Sequence, residues 1–267
     1  MRVTRTIDGA RTALQAARDA GERIGLVPTM GAFHEGHLSL IRAARAECDR
    51  VVVSLFVNPT QFTAADDLAR YPRDEEGDAA LAEREGVDIL FVPGPDEMYP
   101  PGFATWIEVG ALGEILEGAA RPGHFKGVAT VCCKLFEIVR PTQAYFGRKD
   151  AQQVAVVKQM VRDLDLGLAI RAMPTVRDAD GFALSSRNRQ LSGEERQEAL
   201  RLPRALAAGL QAYREGRDAV GVACELLKGV SVDYVTIADL DGPTLAAAVR
   251  IGSVRLIDNV RLEEEGS

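Results

Sequence analysis

Short apolar runs separated by segments of helical period dominate the first two-thirds of this chain and set the strongest limit on its fold. Ile24–Val27 is apolar and is expected to stop at Pro28, Val51–Val57 is rich in β-branched residues and is halted by Pro59, and Val87–Val92 follows the charged, Ala-rich Asp74–Glu85. After Val128–Val139, the runs Ala144–Phe146 and Leu168–Met173 flank Ala151–Leu164. From Gly36 onward, Leu38, Ile41, Ala44 and Cys48 fall on one helical face. A strand that is apolar on both faces must be covered on both, and intervening helices supply the cover. The pattern therefore predicts an α/β fold, a doubly wound parallel sheet of Rossmann-like type.

Beyond Pro174 the character changes. Val176–Gln190 is polar and reads as a long loop. Ser192 and Glu195 then have the spacing of a capping box for a long helix, which Pro203 is expected to kink. Val232–Ile237 and Val254–Ile257 alternate as strands with one wet face would. These signals divide the chain into residues 1–174 and a smaller α+β domain, residues 175–267.

Charge and cysteine usage narrow the function. Lys and Arg total 32 against 39 for Asp and Glu, a formal charge of -7. Such a surface repels a nucleic-acid backbone, although a few cations converging in a cleft can still hold a small anion. Cys48, Cys132, Cys133 and Cys224 show no CxxC spacing, and with three histidines in all a Cys/His zinc site is not expected. The N-terminal segment has no apolar signal core and no stretch has membrane-spanning length, so a cytoplasmic protein without membrane or nucleic-acid partners is expected.

The segment Val27-Pro-Thr-Met-Gly-Ala-Phe-His-Glu-Gly-His-Leu follows one predicted strand and opens a predicted helix. That is the carboxyl edge at which α/β sheets bind ligands. Gly31 and Gly36 permit close backbone approach, and a helix beginning near Gly36 offers unpaired N–H groups to an anion. His34 and His37, three apart, can face one phosphate group and stabilise charge growing at phosphorus. A P-loop fails because His37 stands where its lysine belongs, and a zincin fails because its histidines are four apart. That both histidines merely cap the helix is the plainer alternative.

Pro28-Thr-Met-Gly-Ala-Phe-His-Glu-Gly-His37 resembles the signature of the pantothenate synthetase (pantoate–β-alanine ligase) family, within the nucleotidyltransferase superfamily and its histidine-x-glycine-histidine motif. The resemblance continues, in the family's order, at Phe56–Phe62, Tyr71-Pro-Arg73, Arg121–Gly127, Phe146–Gln153 and Pro174–Asn188. It implies an AMP-forming ligase that condenses pantoate and β-alanine through a pantoyl-adenylate, uses ATP with Mg2+, and assembles as a homodimer. It further implies that the C-terminal domain acts as a lid.

For individual residues, local chemistry and resemblance combine. Met30, Gly31, Ala32, Phe33, His34, Glu35, Gly36 and His37 would line the ATP site. Asn58 and Gln61 follow a strand end, where amides can pair with hydroxyls and a carboxylate. The resemblance places Gln61 and Gln153 on pantoate, with Asn58 and Tyr71 bordering that pocket. Gly147, Arg148, Lys149 and Asp150 would meet the nucleotide, Lys149 on phosphate oxygens and Asp150 on ribose. Locally, a helix cap with a surface lysine fits the same four residues, and Arg148 replaces the family's glutamate. Leu184, Ser185, Ser186 and Arg187 match the family's Met-Ser-Ser-Arg element, which wraps phosphates, and Val176 matches a position whose backbone meets adenine. Catalysis would rest on His34, His37, Lys149, Ser185, Ser186 and Arg187, with His37 as proton donor. The acidic stretch Asp74–Asp78 is either a magnesium site or a solvated helix start, and Gly77 stands where relatives carry an acid.

Overall fold

The computed structural model describes residues 1–63 and 65–263. In chain order the elements are β1 (Arg2–Thr4), α1 (Ile7–Asp19), β2 (Ile24–Thr29), α2 (Glu35–Glu47), β3 (Arg50–Leu55), α3 (Ala65–Arg70), α4 (Glu75–Arg84), β4 (Ile89–Phe91), α5 (Pro95–Met98), α6 (Glu117–Ala120), α7 (His124–Val139), β5 (Gln143–Gly147), α8 (Ala151–Asp163) and β6 (Ala169–Met173). Then follow α9 (Gly193–Ala199), α10 (Arg201–Arg214), α11 (Ala219–Leu226), β7 (Ser231–Asp239), β8 (Pro243–Ile251) and β9 (Val254–Arg261). The chain divides into two compact units, one of residues 1–147 and 155–173, the other of residues 148–154 and 174–267.

In the first unit, among the described residues, six strands form a parallel sheet in the order β1-β4-β3-β2-β5-β6. Successive strands run outward from β2 through β3 to β4, and the chain then returns to place β5 on β2's other side. That reversal is the switch point at which such sheets bind ligands beyond the strand ends. The α2 side is sealed by Leu38, Leu40, Ile41, Ala44 and Cys48 against Val27, Val51, Val53 and Tyr145, all buried. The helical face read from the sequence is the one that packs.

Pro28 does not stop β2; the strand continues to Thr29. Thr29 accepts from Phe56 N–H on the β3 side, and Ile24 accepts from Thr142 N–H on the β5 side. Backbone direction alternates along a strand, so Pro28 points its missing N–H toward β5, where pairing already ends at Leu26. No ladder bond is lost.

In the second unit, β7, β8 and β9 form an antiparallel sheet packed with α9–α11 around Leu202, Leu206, Leu245, Ala247, Val249 and Leu256. The central strand β8 is buried along most of its length and Ala-rich, which hides it from an alternation test. The capping box at Ser192 and Glu195 forms as expected. The helix it starts breaks at Leu200, three residues before Pro203. Pro203 then sits in the first turn of α10, where a missing N–H costs least. Among the described residues, no helix is long and apolar enough to cross a membrane.

Candidate active site

Beyond β2, the chain turns through Met30–Phe33 and enters α2 with His34 as its N-cap. His34 Nδ1 accepts from Gly36 N–H at 3.1 Å, and His37 Nδ1 accepts from His34 N–H at 3.3 Å. The two rings form a reciprocal capping box, 4.2 Å apart between centroids. Capping is thus a real role for both histidines, and it engages Nδ1 of each. A neutral imidazole that accepts at Nδ1 carries its proton on Nε2, so each ring presents an Nε2–H donor. Gly36 is needed here because a Cβ would lie 2.9 Å from the His34 ring.

The backbone amides of this turn serve the protein itself. His37 and Leu38 N–H donate to His34 O, and Ala32 and Phe33 N–H donate to the carboxylate of Asp78, each at 2.7 Å. The expectation that a string of unpaired helix-start amides awaits an anion is therefore corrected: capping and Asp78 engage the amides of residues 32, 33, 34, 36, 37 and 38. Glu35 is exposed and pairs with Arg42.

Gln61 ends the tight turn Pro59–Gln61 that follows β3, with Asn58 as its cap. Asn58 is 1% exposed. Its Oδ1 accepts from Thr60 N–H, the Thr60 hydroxyl at 2.9 Å and the Tyr99 hydroxyl at 2.9 Å. Its Nδ2 donates to Gln61 Oε1 at 3.0 Å and to Gly127 O at 3.2 Å. Thr60 N–H can only donate and Gly127 O can only accept, so together they fix which way the Asn58 amide faces. Gln61 must then turn its oxygen to Asn58, and its Nε2 donates to Met30 Sδ at 3.1 Å. The structure thus joins Met30, from the segment expected at the nucleotide, to Gln61, from the segment expected at pantoate. Asn58 makes its bonds inward and aims Gln61.

The Arg121–Gly127 motif clamps the same turn. The His124 ring donates through Nδ1 to Gln61 O at 2.8 Å, and Arg121 reaches that oxygen at 3.2 Å. Half-buried Tyr71 packs edge-on against Phe62 at 5.7 Å.

In the second unit, Arg148–Asp150 forms one tight turn directly after Gly147, the last residue of β5. Asn259 holds it by donating to Arg148 O at 3.0 Å and Lys149 O at 2.9 Å, and the Arg148 guanidinium pairs with Asp241 at 3.4 Å. Lys149 Nζ lies 3.6 Å from the Asp150 carboxylate, and Gln153 is half-buried in the first turn of α8.

Residues 176–190 are more ordered than a long polar loop. Leu184 N–H donates to Val176 O, Arg177 bridges to Ala183, and the Arg177 guanidinium grips the 2%-exposed Asp258 carboxylate through bonds of 2.7 and 2.9 Å. Ser185 caps the turn Ser186–Gln190 by accepting from Arg187 N–H, which leaves its hydroxyl proton to donate elsewhere. Sequence reasoning missed Asp78, Tyr99, Arg177 and Asp258 as supports. Only Asp78 carried a signal, as a member of an acidic run.

A sequence model of the Pantoate-beta-alanine ligase family matches residues 2–261. The chain belongs to this family. The pantothenate synthetase of Moorella thermoacetica is 51% identical over 280 residues, covering 98% of this chain and 99% of its own length. That of Acidobacterium capsulatum is 54% identical over 258 residues, 90% of this chain and 86% of its own. The crystal structure of pantothenate synthetase from Thermus thermophilus is similar at a TM-score of 0.93 and 45% identity, over 99% of this chain and 100% of that one. The pantoate-beta-alanine ligase of Francisella tularensis, complexed with beta-gamma ATP and beta-alanine, is similar at 0.85 and 37% identity, over 99% and 98%. As a pantoate-beta-alanine ligase, this chain is an ATP-using enzyme that joins an acid to an amine, and the nucleotidyltransferase-type sheet is the family's own.

Proposed function

We propose that this enzyme makes pantothenate from pantoate and β-alanine at the residues described above. The observation that carries the reading is the family match over residues 2–261. A carboxylate does not acylate an amine at neutral pH, because oxide would have to leave. ATP solves this. A pantoate carboxylate oxygen attacks the α-phosphorus, the bond to the bridging oxygen breaks, and pyrophosphate departs. The β-alanine amine then attacks the acyl carbon, AMP leaves, and the amine gives up its proton.

His34 and His37 supply Nε2–H donors where phosphate charge grows; His37, whose Nδ1 accepts from His34 N–H, stabilises the leaving phosphate by a hydrogen bond and keeps its proton. Met30–Gly36 lines the nucleotide, with Ala32 and Phe33 contributing atoms other than their amides. Gln61, aimed by Asn58, turns N–H toward pantoate's oxygens, and Gln153 and Tyr71 complete that subsite. Lys149, Ser185, Ser186 and Arg187 add cations and hydroxyls to the phosphates. Asp150 takes ribose, Val176 and Leu184 take adenine, and Gly147 leaves room for the nucleotide. Arg148, paired with Asp241, holds the turn that carries Lys149.

Among the described residues no group of three or more His, Cys, Asp or Glu could hold a metal. Asp74 caps α4 and Asp78 binds backbone, so the nucleotide's own phosphates would carry the Mg2+. We assign the enzyme to the cytoplasm as a homodimer. Sedimentation at twice the 28.8 kDa chain mass tests the dimer.

Exchange of labelled pyrophosphate into ATP tests the reaction. Exchange that requires pantoate but not β-alanine, with AMP released once β-alanine is added, is the expected result. Exchange indifferent to pantoate, or adenylate retained on the final product, contradicts the reading.

A further inference from the structure

Asp78 lies in the first turn of α4, within an acidic run that reads as a metal site or a solvated helix start. It is neither exposed nor turned toward open space. At 3% exposure its two oxygens divide between neighbouring amides, Oδ2 on Ala32 N–H and Oδ1 on Phe33 N–H. These amides belong to the turn that immediately precedes the paired imidazoles.

The turn has an unusual backbone. Gly31 takes φ +88°, and Ala32 takes φ +54°, a region that a residue with a Cβ enters at a cost. A Cβ on Gly31 would lie 2.9 Å from Asp78 Oδ2, so the carboxylate fills the concave side of the turn. Two short charge-assisted bonds from a residue anchored on another helix can hold such a turn where local preference would not. We infer that Asp78 is the positioning residue of the phosphate turn, holding Gly31 and Ala32 left-handed so that His34 caps α2 and both rings carry their protons on Nε2; it is not a metal ligand. This rests on the ligase reading for its catalytic consequence but not for its geometry.

Asp78→Asn preserves shape and removes one acceptor, so one backbone N–H then faces an amino group. The kcat of pantoate-dependent pyrophosphate exchange should fall about 10²-fold, with little change in KM for ATP and none in the Mg2+ concentration that half-saturates the rate. Histidine-selective 15N NMR in mildly alkaline buffer reads the geometry without substrate, and the chain has only three histidines to resolve. The wild type should show two Nε2–H rings and one Nδ1–H ring, His124. In Asp78→Asn, the two Nε2–H rings should become tautomer mixtures while His124 stays unchanged.

A raised Mg2+ requirement with kcat recovered at high Mg2+ would make Asp78 a metal ligand and overturn the inference, as would wild-type tautomers and kcat. Should Asp78→Asn not fold, Gly31→Ala decides. It crowds the carboxylate while keeping its charge, and the same kcat loss and tautomer mixing are expected; wild-type behaviour refutes the inference. If the wild type itself exchanges no pyrophosphate, the ligase reading fails and the tautomer result still stands or falls alone.

Discussion

His37 joins α2's cap to the chemistry proposed for the phosphates, and the two roles make different demands on a substitution. His37→Ala removes the Nδ1 acceptor and the Nε2 donor together, and pantoate-dependent pyrophosphate release should fall about 10²–10³-fold. His37→Asn keeps an acceptor for His34 N–H, so it should restore the thermal stability lost in His37→Ala without restoring the rate. Equal rates in the wild type and either variant would remove His37 from the mechanism. Asn58 invites a sharper substitution. Asp at this position sets a carboxylate oxygen against Gly127 O and Gln61 Oε1, now 3.2 and 3.0 Å from Nδ2. Gln61 then relieves the clash by rotating its amide, which presents an acceptor where pantoate's oxygens need a donor. Asn58→Asp is therefore expected to raise KM for pantoate about 10²-fold, the loss of a hydrogen bond to a charged group, while KM for ATP stays near wild type. A KM change shared equally by both substrates would contradict this orientation role.

At the scale of elements, caps and corners decide where helices begin. The Ser192–Glu195 box starts α9, and Ser192→Ala should cost about 1 kcal/mol and lower Tm by about 2–4 °C with pyrophosphate exchange unaltered; an unchanged Tm would show the cap to be energetically idle. The Arg121–Gly127 segment works as an element too, since His124, Arg121 and the Gly127 carbonyl all fasten the Asn58–Gln61 turn to the start of α7. From the sequence, His124 reads as an indirect support of the pocket and Arg121 as a partner for a carboxylate; the structure gives both the Gln61 carbonyl instead. The segment's partners lie some sixty residues away, beyond any local pattern. The break at Leu200 was half legible. Pro203 announces an interruption, but the interruption comes earlier because the residue deprived of its partner is the one a turn before the proline.

Across the whole molecule, burial grades the cysteines, which the mechanism does not use. Burial pushes the Cys132 thiol up to about 12, and Cys48 is buried as well, whereas Cys224 is exposed. Alkylation requires thiolate, so native protein at neutral pH should lose only Cys224 promptly, and Cys48 and Cys132 should react at the rate of unfolding. Peptide mass analysis over time checks this order, and prompt labelling of Cys132 would contradict it. The apolar runs by themselves specified a parallel sheet covered on both faces, because period and burial are properties of adjacent residues. The motif segments specified the family, because their residue types and order are local facts as well. Three things required the folded chain: the direction of the Asn58 amide, the proton-bearing nitrogen of each imidazole, and the contact of Asp78 with a turn 45 residues earlier. The Asn58 amide, the His124 ring and Asp78 depend on partners in elements distant in sequence, whereas His34 and His37 bond within one turn whose backbone is tied to Asp78, and tertiary packing settles both.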